Sequence, residues 1–322
     1  MLMVILGHQF EKTGLGVPLQ FIQTFHMPMF FMIAGFFISD SQTMKEFSIK
    51  RIKRLLIPYV ISCILAAILC SIVVLLKDRQ LSSAMNEFLK RIWITVYGSG
   101  SGHGSIITGS EIGMMWYLLG LLWSSIIVKA ISNNKMAGII ALLISSVAIG
   151  TTTIFGWIPL SIQNGLGAIM WVWCGYYIKK KELQPEIKRF IASPWIILII
   201  VAWVLSAIYG SIHLYENFYK LGVVDAVGAI AGSLLVFGIC ETISGEETWL
   251  RKVLLYIGEN SLLIYCLHFL ENNVLPVDRL LRVAGLTDKT LIALLSWIII
   301  SACCCLLTMV LNTISVIRKV YG

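Results

Sequence analysis

Apolar residues fall along this chain in long runs, with the polar residues gathered between them. Ten runs stand out, at 1–10, 21–39, 55–76, 114–132, 136–155, 160–178, 194–210, 221–243, 257–275 and 290–316. A run of about 18 residues or more is the length that crosses a bilayer as a helix. Barrel strands would be shorter and would alternate apolar and polar positions. In lipid, every backbone polar group must find its partner inside the protein, which favours helices here. The pattern predicts an all-α, polytopic integral membrane bundle of about ten transmembrane helices, one domain over 1–322. The first run stops at Glu11 and Lys12 after about half a span. A fuller first helix is therefore expected to begin upstream of Met1.

Composition agrees with a membrane protein. The chain is 58% hydrophobic and 13% charged, with mean hydropathy +0.86, whereas soluble domains carry about 25% charged residues. The net charge of +8 does not signal nucleic acid, because the basic residues sit in short clusters between apolar runs. With the chain starting inside, 16 of the 25 Lys and Arg fall on cytoplasmic sides and 9 on the other. That is the positive-inside bias, and it puts both termini in the cytoplasm. The loop 77–113 is the one sizeable outer connection. It holds an amphipathic stretch, "MNEFLKRIWITVYG", then "SGSGHGS", and reads either as a lid or as a plain connector. The eight cysteines lie in apolar runs without zinc or disulfide spacing, so they read as small buried hydrophobes. No metal site is expected.

Ionisable residues inside apolar runs are costly and face a cavity or a partner. His8 ends the first run. Histidine suits proton transfer near neutral pH, and Glu11, three residues on, is placed to orient its ring. A packing role stands beside that reading. His26 opens "FHMPMFFMIAGFF" and suits either a helix interface or a cavity. Gly35 in the same stretch permits close helix approach. "SIKRIKRLLIPYV" sets Lys50, Arg51, Lys53 and Arg54 against a membrane-length run. Arg51 and Arg54 share a helix face, and guanidinium matches phosphate. They read equally as topology anchors on anionic lipid. Trp116 and Tyr117 in "MMWYLLGLL" fit an interfacial aromatic belt or a cavity wall. In "SLLIYCLHFL", His268 lies two helical turns after Ser261, a second intramembrane imidazole. His103 and His213 read as solvated loop residues, and Asp225 and Glu241 as interfacial. No GxxxxGK[ST], HExxH or GxSxG motif occurs, which argues against an ATP-driven subunit, a zincin and an α/β hydrolase.

These blocks, "MLMVILGHQF", "FHMPMFFMIAGFFIS", "KRIKRLLIPY", "MMWYLLGLL" and "SLLIYCLHFL", follow one another as in the acyltransferase family 3 membrane proteins. The chain resembles that family over nearly its whole length. The resemblance implies about ten membrane helices in the bacterial cell membrane. It implies transfer of an acyl group, usually acetyl, from cytoplasmic acyl-CoA to envelope carbohydrate: exopolysaccharide, O-antigen, peptidoglycan or glycolipid. It implies a catalytic role for His8 and a donor-binding role for Arg51 and Arg54, with Lys50 beside them. The family's arginine, about ten residues before that histidine, would precede Met1. On this reading the arginines hold CoA phosphates while the acyl arm reaches His8, about 15 Å along ten helical residues. A transporter or flippase of a glycan or small solute, and a sensing or scaffolding membrane domain, are the competing readings.

Overall fold

A computed structural model describes residues 1–101, 111–244 and 247–321. His103 and most of the Gly/Ser run lie outside them. Among the described residues the chain is almost entirely α-helical. The order begins with α1 (Leu2–Thr13), α2 (Gly16–Gln23), α3 (His26–Phe36), α4 (Met44–Asp78), α5 (Leu81–Tyr97) and α6 (Trp116–Ile131). It continues with α7 (Ala137–Phe155), α8 (Ile162–Gly167), α9 (Ile169–Lys180), α10 (Gln184–Ile191), α11 (Ile196–Tyr209) and α12 (Val223–Ser244). It ends with α13 (Trp249–Glu259), α14 (Ser261–Val274), α15 (Val277–Val283), α16 (Lys289–Leu311) and α17 (Ser315–Tyr321). The amphipathic stretch of the 77–113 connection is thus a helix, α5. A minimal hairpin pairs Ile212–His213 with Phe218–Tyr219.

Local chemistry sets the ends of these helices. Gly14 closes α1 in the left-handed conformation at φ 72°, where a side chain would be strained. At the start of α4, "TMKE" forms a reciprocal cap. The Thr43 amide donates to Glu46 Oε2 at 3.0 Å and the Glu46 amide to Thr43 Oγ1 at 3.3 Å, satisfying donors that have no partner inside the helix. Asp288 caps α16 by accepting from the Leu291 amide at 2.7 Å.

Among the described residues, five helical spans are long and apolar enough to cross a membrane: Gly16–Phe36, Met44–Asp78, Gly113–Ile131, Val223–Ile243 and Lys289–Leu311. Two bent pairs, α10 with α11 at 87° and α13 with α14 at 75°, bring the number to seven. The expected ten is larger because several runs are helical but short or broken. Run 1–10 is the twelve-residue α1. Run 160–178 is broken twice: Leu160 and Ser161 adopt φ of 60° and 48° ahead of α8, and the helix divides at Ala168, so α8 and α9 are separate pieces. Run 194–210 is the second arm of a bend at Ser193 and Pro194, and run 257–275 carries a bend at Asn260.

The helices group into two compact units. One comprises Met1–Leu19, Ile57–Tyr97 and Glu247–Gly322. There α1 lies along α16, and fully buried Ile5 joins Ile257, Ile264, Ile300 and Cys304 in an apolar core. The Trp297 indole donates to the Leu2 carbonyl at 3.0 Å, fixing the start of α1. The other unit comprises Gln20–Leu56 and Gly98–Glu246. Its closest packing sets α3 against α9, where Gly35 faces the Val172 and Tyr176 backbone and Gly175 faces the Met32 backbone.

Several polar residues sit elsewhere than their sequence position suggests. Asp225 is fully buried, not interfacial. Its carboxylate accepts from the Leu221 amide at 2.6 Å and the Ser206 hydroxyl at 3.3 Å. His213 is half-buried, bonded to Ser211 at 2.8 Å and stacked on Phe218. The cysteines are all free; Cys63, Cys70, Cys266 and Cys304 are buried as expected, while Cys240 and Cys303 lie on outer helix faces.

Candidate active site

Glu11 belongs to α1, not to a following loop. A helix turns by about 100° per residue, so side chains three apart share a face. This puts His8 Nδ1 3.3 Å from Glu11 Oε2. The pair stands at the surface of its unit, with His8 30% and Glu11 62% exposed. Both ends of the expected hydrogen bond are thus present, and the other ring nitrogen of His8 lies outside it.

Alongside it, α14 carries the same arrangement in a closed setting. His268 Nδ1 lies 3.0 Å from Glu271 Oε2, with exposures of 0% and 12%. The two imidazoles face each other across α1 and α14, ring centroids 5.6 Å apart and planes 48° apart. His268 Nε2 and Glu271 Oε1 are buried without a hydrogen-bond partner. So are both amide atoms of Gln9, next to His8, and the hydroxyls of Ser296 and Ser301 on α16. Buried polar groups are rarely left unpaired, so the open Nε2 of His268, on a ring that meets His8, can take a polar partner. Ser261 is remote from it. It starts α14, seven residues or about 10 Å along the axis from His268.

In the other unit the basic cluster divides. Arg51 folds inward, its guanidinium 5.1 Å over the Phe47 ring and donating to the Ala34 carbonyl at 3.3 Å. Lys50 and Arg54 are exposed. Guanidinium has five donors, so Arg51 retains most of them while bound to Ala34. The carbonyls after α3 collect further cations: Lys129 Nζ donates to Ser39 at 2.6 Å and Lys179 Nζ to Ile38 at 3.4 Å. Cations at a helix C-terminus are favoured by the peptide dipoles. Lys180 donates to the Tyr176 hydroxyl at 2.8 Å, and that hydroxyl donates to Asp40 at 2.7 Å. The bond to Tyr176 raises the Lys180 pKa above its ordinary value. Lys129 lies in the last turn of α6, and Lys179 and Lys180 in the last turn of α9, which is what brings them to the α3 terminus.

The remaining candidates make hydrogen-bond and ring contacts inside the fold. His26 Nδ1 bonds to the Ile22 carbonyl at 2.8 Å, which fixes the joint between α2 and α3. Trp116 is buried, and Tyr117 meets Phe31 edge to face at 5.1 Å. Both are inside the unit against α3 and are not an interfacial belt. Among the described residues no group of three or more His, Cys, Asp or Glu is placed to hold a metal ion.

A family model described as an acyltransferase domain, the acyltransferase 3 family, matches residues 1–315. The chain belongs to the acyltransferase 3 family. Comparison with curated proteins and with solved structures gives no match. The chain is therefore a membrane acyltransferase, and the transporter and scaffold readings give way to an enzyme. In this acyltransferase the α1 and α14 imidazoles are candidate proton-transfer groups, each held by a carboxylate on its own helix.

Proposed function

We propose that this acyltransferase moves an acyl group, acetyl in the first instance, from cytoplasmic acyl-CoA to a hydroxyl of a cell-envelope carbohydrate. It works in the bacterial inner membrane with both termini in the cytoplasm. Arg51 and Arg54, with Lys50, bind the CoA phosphates. His8, oriented by Glu11, takes the acceptor proton as the hydroxyl oxygen attacks the thioester carbon. The C–S bond then breaks, and the proton ends on the departing sulfur. The observation that supports this reading is His8 itself, a carboxylate-oriented imidazole on an apolar helix of an acyltransferase.

The deciding experiment compares envelope polysaccharide from cells with and without the gene, by mass spectrometry before and after mild base. Acetyl esters present only with the gene, and lost in base, establish the reaction. Their absence overturns it. The donor site has its own test. Each charge-assisted hydrogen bond lost costs about 1.5–3 kcal/mol, so the pair Arg51→Ala and Arg54→Ala raises the KM for acetyl-CoA by at least about tenfold. An unchanged KM removes the arginines from donor binding.

A further inference from the structure

The strongest unexplained feature is the second histidine–carboxylate pair. His268 is fully enclosed, faces His8 at 5.6 Å between ring centroids, and has Nε2 buried and unpartnered. Its Nδ1 is held by Glu271 at 3.0 Å. A plain packing histidine would satisfy both nitrogens, because an unmet buried polar atom costs about 1–3 kcal/mol. With Nδ1–H donated to the carboxylate, Nε2 carries the lone pair. That is the tautomer of a base, and the carboxylate stabilises the imidazolium formed when the base is used.

We propose that His268, held by Glu271, is the second proton-transfer residue of the acyl-transfer reaction, working with His8 at one reacting centre. The inference rests on the proposed reading of His8. The acceptor hydroxyl gives its proton to His8 as the C–O bond forms. His268 Nε2 receives that proton, directly or through one hydroxyl or water between the rings. It holds it as an imidazolium beside Glu271 while the C–S bond breaks, and then releases it to the thiolate sulfur. One proton moves from oxygen to sulfur, and no net charge is left in the unit. The groups facing this path are His8 and Lys12 from α1, Glu271 from α14 and Cys304 from α16.

The test uses the full-length protein in lipid vesicles, radiolabelled acetyl-CoA as donor, and cell envelope from a strain lacking the gene as acceptor. His268→Gln keeps the volume and a hydrogen bond to Glu271 but cannot carry the proton. It is expected to lower the maximal rate about 10²-fold with the KM for acetyl-CoA within about twofold. His268→Ala is expected to regain part of its rate with added imidazole, a rescue that a structural role would not give. If His268→Gln fails to accumulate, Glu271→Gln, nearly isosteric, replaces it and is expected to lose about tenfold in maximal rate. A wild-type rate in His268→Gln or Glu271→Gln, with His8→Ala inactive, overturns this inference and leaves the reading of His8 standing. No acetate transfer by the unaltered protein overturns the reading of function instead.

Discussion

His8→Ala is expected to lower acyl transfer by about 10²–10⁴-fold, the contribution of a positioned proton carrier. Its cost to folding is small by comparison. The ring is 30% exposed, and it is hydrogen-bonded to Glu11 on the same helix. The maximal rate therefore falls while the protein still extracts and unfolds at a nearly normal temperature. Glu11→Gln gives a milder loss, since the carboxylate acts only through the ring it orients. Measuring labelled acetate on envelope polysaccharide, with thermal unfolding in parallel, separates the two effects. Normal transfer by His8→Ala would remove α1 from the chemistry.

The site was half legible in the sequence. "HQFE" and "HFLE" are the same His-x-x-Glu spacing on two helices, and each folds into the same Nδ1-to-Oε2 contact. The first pair is visible because it interrupts an apolar run at its end. In the second, Glu271 lies within the polar end of the segment, where a carboxylate passes for an interfacial residue. That the two pairs meet depends on α1 and α14 both packing against α16, a long-range fact that no local pattern carries.

The fold divides similarly. Apolar length announced the helices, and Pro159 and Pro194 mark the irregular backbone where runs 160–178 and 194–210 begin, while the division at Ala168 carries no such signal. The bend at Asn260 has no proline; only its Gly258-Glu-Asn turn composition hints at it. The belt reading of Trp116 and Tyr117 failed because an aromatic pair at the start of an apolar run looks the same whether it meets headgroups or Phe31. Asp225 misled for a related reason. A carboxylate near a run's end passes for interfacial unless one knows that the Leu221 amide and Ser206 hydroxyl await it.

Gly175→Ala is expected to be the more damaging of the two methyl additions at the α3–α9 contact, Gly35 being the other. A Cβ at Gly175 would collide with the Met32 carbonyl, and one at Gly35 with the Val172 carbonyl. The obstacles are backbone atoms of a facing helix, so no rotamer change relieves them, and α3 and α9 must separate. Overpacking of this kind costs about 1–3 kcal/mol or more. Separation also strains the Tyr176 to Asp40 bond at 2.7 Å. Small residues are what let helices approach closely where lipid provides no hydrophobic drive between them. The two contacts are reciprocal, so once either alanine has opened the pair the other meets less resistance. Gly35→Ala with Gly175→Ala should then cost less than the sum of the single changes. Gly150→Ala is the control. Nothing lies within 4 Å of its Cβ position in α7, and alanine there is worth up to about 1 kcal/mol in helix propensity. Thermal unfolding in detergent should rank Gly150→Ala at or above the unaltered protein and Gly175→Ala well below it. Equal midpoints for Gly175→Ala and the unaltered protein would mean that α3 and α9 do not touch as described.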